Sequence, residues 1–70
     1  MVNIWEYASG QPDIQLVTVN GERYEGYVYM VFDAEEADDV EDVLALSVEG
    51  GRIRHFHPSE IAKIKRIEKE

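Results

Sequence analysis

Two histidines, a run of carboxylates and a basic stretch are the parts of this 70-residue chain that could do chemistry. His55 and His57 stand two apart, so on a strand both rings point to one face, a geometry that can hold a transition metal. Spacing indicates no third ligand, and the pair reads as a strand edge, with no metal or other cofactor expected. Residues 33–42 hold Asp33, Glu35, Glu36, Asp38, Asp39, Glu41 and Asp42 and no base. This run lacks the alternating Asp/Asn positions, the central glycine and the closing bidentate Glu of an EF-hand loop. It reads as a solvated loop or a partner-facing segment. Catalysis has no evident starting point: there is no cysteine, no serine in a nucleophile elbow, and no apolar wall beside the acids to tune them. The expectation is a protein that is not an enzyme.

Charge is unevenly spread. Fifteen acids face seven Lys and Arg, for a net charge of −8. Residues 33–42 carry seven of those acids, so the excess is one local feature. Residues 52–69 instead carry six bases against two acids. Within them Arg52, Arg54, Lys63, Lys65 and Arg66 alternate with apolar residues as a basic stripe, of which Arg52 and Arg54 are the candidate basic surface. The overall balance opposes general attraction to phosphate backbones and anionic membranes. The stripe could pair with the acidic run of a neighbouring copy and favour assembly, and the acidic run alone suits a basic protein partner.

These groups need a scaffold, and 8.1 kDa with 44% hydrophobic and 31% charged residues suits one soluble globular domain. Without cysteine, neither disulfides nor thiolate zinc can staple so small a core, which leaves packing or oligomerisation. No apolar run reaches membrane-spanning length, and residues 1–7 show no basic-then-apolar leader, so a cytoplasmic location is expected.

Periodicity of two dominates the chain. Residues 13–20 alternate, with Ile14, Leu16 and Thr18 on one side and Val17 and Val19 on the other. Asn20-Gly21 supplies the positive φ of a tight hairpin. Residues 23–33 are rich in Tyr, Val and Phe and are interrupted by Gly26, the mark of a sharp bend. A regular strand there places Tyr24, Val28, Met30 and Phe32 on Gly26's face, with Tyr27 and Tyr29 opposite. Residues 43–48 and 52–56 read as two more strands about a Glu49-Gly50-Gly51 turn. For residues 58–70, Ile61, Ile64 and Ile67 recur every three residues as in a helix. A single 3₁₀ turn followed by a fifth strand over residues 62–68 closes a small barrel better, because four strands alone leave too much sheet uncovered. Residues 2–8 suggest a short helical segment over the barrel mouth, anchored by Trp5. Tyr24, Tyr27, Tyr29 and Trp5 read as core or subunit-interface residues more readily than as an aromatic platform. The fold class expected is an all-β, strongly bent, five-stranded SH3-like or Sm-like barrel comprising residues 1–70.

This order of elements resembles that of Sm and Sm-like (LSm) proteins. The segment Val17-Thr-Val-Asn20-Gly21-Glu-Arg-Tyr24-Glu-Gly26 is similar to the first Sm motif, and Phe32-Asp33 to the aromatic-Asp pair that closes it. Phe56-His-Pro-Ser-Glu-Ile61-Ala-Lys-Ile64 has the apolar spacing of the second motif, with His57-Pro58 where the family has Arg-Gly and Ser59-Glu60 where Asp-Asn is usual. The resemblance implies a non-enzymatic binding or scaffold protein that forms a ring-shaped homo-oligomer through its edge strands. It further implies single-stranded RNA as a ligand, with Asp33, His57, Ser59 and Glu60 at the RNA-binding positions. An acidic SH3-like adaptor that contacts no nucleic acid is the alternative.

Overall fold

The computed structural model describes residues 2–67. It is an all-β fold: β1 Asp13–Thr18, β2 Arg23–Phe32, β3 Val43–Val48, β4 Arg52–Phe56 and β5 Ile61–Arg66 form one antiparallel sheet in the order β4-β3-β2-β1-β5. One 3₁₀ turn, Ile4–Tyr7, precedes β1 and another, Pro58–Glu60, joins β4 to β5. The expected fifth strand forms where a helix was the competing reading. Pro58 starts the turn, and Ile61, Lys63 and Ile64 then pair with Thr18, Val17 and Leu16 of β1, with a register shift at Ala62.

The β1–β2 hairpin closes as Asn20-Gly21 dictates, with Gly21 at φ 86° and its N–H donating to the Thr18 carbonyl at 2.9 Å. β2 is long enough to serve two neighbours. Residues 23–27 pair with β1 and residues 26–32 with β3, so Gly26 faces Ile14 on one side and Val48 on the other. A Cβ at Gly26 would overlap the Ser47 carbonyl oxygen and stand 2.8 Å from its carbon, which is why a glycine occupies the bend.

The sheet curls so that every strand contributes to one core. Ile14 and Leu16 of β1, Val28 of β2, Leu44 and Leu46 of β3, Phe56 of β4 and Ile61 of β5 are all buried there with Ile4. Each such side chain stabilises the fold by roughly 1.5–3 kcal/mol through removal from water. Ile4, only 1% exposed, is the anchor of the N-terminal turn; Trp5, expected in that role, is 44% exposed. The four-residue turn is too short to bury both faces, and the smaller aliphatic residue fills the opening.

A second correction concerns β2. The register shifts between Val28 and Met30: Val28 opposes Leu46, Met30 opposes Ala45, and Tyr29 is the extra residue of a bulge. One inserted residue moves everything after it to the opposite face. Met30 and Phe32 therefore lie on the outer face with Tyr27, while Val31 takes the inner position against Leu44. Tyr27 and Tyr29 are exposed, and Tyr24 is the β2 tyrosine that packs on the core, its ring 5.1 Å from that of Phe56.

Candidate functional site: the acidic loop and the β4–β5 turn

Residues 33–42 leave the end of β2 and return to the start of β3, so they hang beside the end of β4 and the turn that follows it. The loop is ordered by its own backbone. Ala37 N–H donates to the Asp33 carbonyl at 3.0 Å and Asp39 N–H to that of Ala34 at 2.9 Å. Asp33 and Glu36 exchange bonds: the Glu36 N–H reaches Asp33 Oδ1 at 2.8 Å and the Asp33 N–H reaches Glu36 Oε1 at 3.2 Å. Short acidic side chains accepting nearby N–H groups give the backbone an alternative to strand pairing. The solvated loop expected from composition is present as a mostly exposed segment, ordered into a series of turns.

Three side chains fasten this loop to the rest of the fold. Asp42 accepts the Trp5 indole N–H at 2.8 Å with one oxygen and the Ala34 N–H at 2.8 Å with the other. Glu41 accepts the Ser59 hydroxyl at 2.8 Å. Asp39 Oδ2 lies 2.8 Å from His57 Nε2, and on the far side of the ring His57 Nδ1 lies 2.7 Å from Glu60 Oε1. That same Glu60 oxygen accepts the His57 backbone N–H at 3.0 Å.

The electrostatics follow from this geometry. A neutral imidazole carries one N–H, so only the imidazolium can donate to both carboxylates. The hydrogen bond to Asp39, helped by that to Glu60, holds His57 above its ordinary value of 6.5 against the opposing effect of desolvation. Asp39 is held below 3.8, chiefly by the bond from His57. Glu60 is held below 4.5, first by the His57 backbone N–H and then by the ring.

Of the residues picked out from sequence, His57, Ser59 and Glu60 come together on the β4–β5 turn, and Asp33 does not join them. Its carboxylate is used inside the loop. Asp39 and Glu41 are the acids that reach the turn, and sequence reasoning did not single them out from the seven. The one available signal was the likelihood of charge pairing with the lone histidine after β4, which does not say which acid pairs. Arg52 and Arg54 lie elsewhere, on the inner side of β4 at the open mouth of the sheet, where the Arg54 guanidinium stacks 5.0 Å from the Tyr24 ring centroid. His55 and His57 line the same cleft as Asp39. Among the described residues no group of three or more histidine and acid side chains is arranged to hold a metal ion.

No helix among the described residues is long and apolar enough to cross a membrane. Comparison with protein-family models, curated proteins and solved structures finds no match to this chain.

Proposed function

We propose that this chain is a non-enzymatic small-barrel scaffold that self-associates through its two edge strands, in the manner of an Sm-like ring. The observation that carries this reading is the strand order: β4 and β5 are the outer strands of the sheet, each with one neighbour, and a three-residue turn joins them. An edge strand presents unpaired backbone groups, and pairing β4 of one copy with β5 of the next satisfies both edges with one repeated contact. Such a head-to-tail contact closes into a ring when its rotation divides the circle. Charge supports it. Among the described residues no Lys or Arg forms an ion pair with a described carboxylate; the ion pairs are those of His57. The Lys63 and Lys65 face of β5 is therefore free to lie against a neighbour's acidic loop.

The same site argues against single-stranded RNA as the ligand. The position that takes Arg-Gly in Sm proteins holds a histidine whose two ring nitrogens already serve Asp39 and Glu60, and Glu41 occupies Ser59. At these positions the ring nitrogens and the hydroxyl already have carboxylate partners, and the loop adds negative charge where a phosphate would pass. The second reading, an adaptor that docks a basic protein through this loop, draws on the acids of residues 33–42 other than Asp39, which form no ion pair with a described Lys, Arg or His.

Light scattering coupled to size exclusion, at low and high salt and with and without an oligo-U strand, tests these readings. The expected result is a single assembly larger than a dimer, loosened by salt and unchanged in mass by RNA. A monomer at both salt concentrations overturns the scaffold reading, and a mass increase with oligo-U overturns the exclusion of RNA.

A further inference from the structure

Where residues 27–32 of β2 pair with β3, the outer face they share with β3 and β4 carries no Asp, Glu, Lys or Arg, in a chain that is 31% charged. Its cross-strand rows are Tyr27–Ser47–Ile53 and Met30–Ala45–His55, with Phe32–Val43 beyond them. Residues directly opposite each other on an antiparallel sheet share a face. The central strand supplies short or sunken side chains: Val43, Ala45 and Ser47 are all buried. The flanking strands supply taller, exposed ones, with Tyr27 at 40%, Met30 at 46% and Ile53 at 43%. The face is therefore a trough along β3 with apolar walls. The β2 bulge makes it, because without the extra residue Met30 and Phe32 would point into the core.

At the Phe32 end the trough runs into a cleft of about 290 Å³ under the acidic loop, floored by Phe32, Ala37 and Val43 and rimmed by Glu36, Asp39 and His57. Apolar walls that end at the acidic loop, where the seven acids of residues 33–42 outweigh the one positive charge of His57, select an occupant that is apolar along its length and cationic at one end. This chain does not present that combination to a second copy. Its outward-facing Lys63, Lys65 and Arg23 lie on the β5-β1-β2 half of the sheet, beside Gln15 and Glu25, and its apolar trough has no cation of its own.

We propose that the β3 trough is a docking site for an extended segment of a partner protein, with apolar side chains between the walls and a Lys or Arg whose stem lies on Phe32 and Val43 and whose head meets the loop. This deepens the adaptor reading above by giving the basic partner an apolar body, and it is independent of ring formation.

Three synthetic peptides test it by titration into ¹⁵N-labelled full chain: one alternating leucine and serine with two lysines at one end, one with serine replacing the leucines, and one with glutamate replacing the lysines. Amide shifts are expected along β3 and the outer rows of β2 and β4, continuing into residues 33–42. The first peptide should bind at least about tenfold more tightly than either control, and Met30→Ser with Ile53→Ser should weaken it by about as much. Both positions are exposed, so circular dichroism should show an intact fold. Equal binding of the serine peptide overturns the trough while leaving the adaptor reading standing. No binding by any peptide overturns both. A change in oligomeric mass in the double variant also overturns the proposal, by making the face a contact between copies.

Discussion

His57 and Asp39 meet across eighteen residues of chain, Nε2 to Oδ2 at 2.8 Å, and with Glu60 on the other ring nitrogen they make the acidic loop an attachment whose strength depends on pH. His57 has a raised folded value, so its contribution is full below 6.5 and is lost as pH rises through that raised value. Asp39 and Glu60 have lowered values, so theirs are full above 3.8 and 4.5 and are lost as pH falls through the lowered ones. The attachment is therefore strongest between 4.5 and 6.5. Amide exchange of residues 34–42, corrected for its intrinsic pH dependence, should be slowest in that window and faster above it. His57→Gln should remove the variation, and an unchanged profile in that variant would count against the latch.

Gly26→Ala places a methyl group on the Ser47 carbonyl, where every close neighbour is backbone of Ser47 or Val48 and no flexible side chain can give way. We expect a loss of about 2–4 kcal/mol in urea denaturation. Gly50→Ala is a useful comparison, because an added Cβ there meets nothing and the cost is confined to its φ of 85°. It should cost about 1 kcal/mol.

Leu44 is fully buried between Phe56 on β4 and Val31 on β2. Leu44→Ala should cost about 3–5 kcal/mol, which for a domain of this size approaches the whole stability. Val40→Ser, at a loop position 92% exposed, should fall within about 0.5 kcal/mol. Thermal unfolding of the pair separates core packing from loop composition.

The Trp5 indole donates to Asp42, and the chain has one tryptophan, so its fluorescence reports on the loop. Asp42→Ala removes the acceptor of both Trp5 and the Ala34 N–H. We expect a changed emission spectrum, increased quenching by iodide, and a stability loss of about 1 kcal/mol. An unaltered spectrum would show that Trp5 does not hold the loop in solution.

Arg54 over Tyr24 and Tyr24 against Phe56 make a stack from the mouth of the sheet to the core. Arg54→Ala should lower stability by about 0.5–1 kcal/mol, and in a double-mutant cycle with Tyr24→Leu most of that effect should vanish.

Local pattern carries the strands and turns well, for physical reasons that particular residues make plain. Ile14, Leu16 and Thr18 alternate because one face of β1 is buried, Asn20-Gly21 admits the positive φ of a tight turn, and Pro58 fixes its own φ. Pattern fails at Met30 and Phe32, because a bulge is a relation between two strands and Tyr29 bears no mark of it in sequence. The site divides in the same way. His57, Ser59 and Glu60 are neighbours along one turn, whereas the choice of Asp39 and Glu41 over five other acids depends on how the loop folds above that turn.

The register also orders the events of folding. β1–β2, β2–β3 and β3–β4 join strands adjacent in sequence, while β1–β5 alone closes across the rest of the chain. Bringing distant segments together costs loop entropy before any contact rewards it, so this pairing carries the largest closure cost of the four. Until β5 docks, Leu16 lacks its neighbour Ile64 and Thr18 lacks Ile61, and β1 stands as an open edge in the nascent sheet. The interval before that docking is when this chain is most exposed to aggregation.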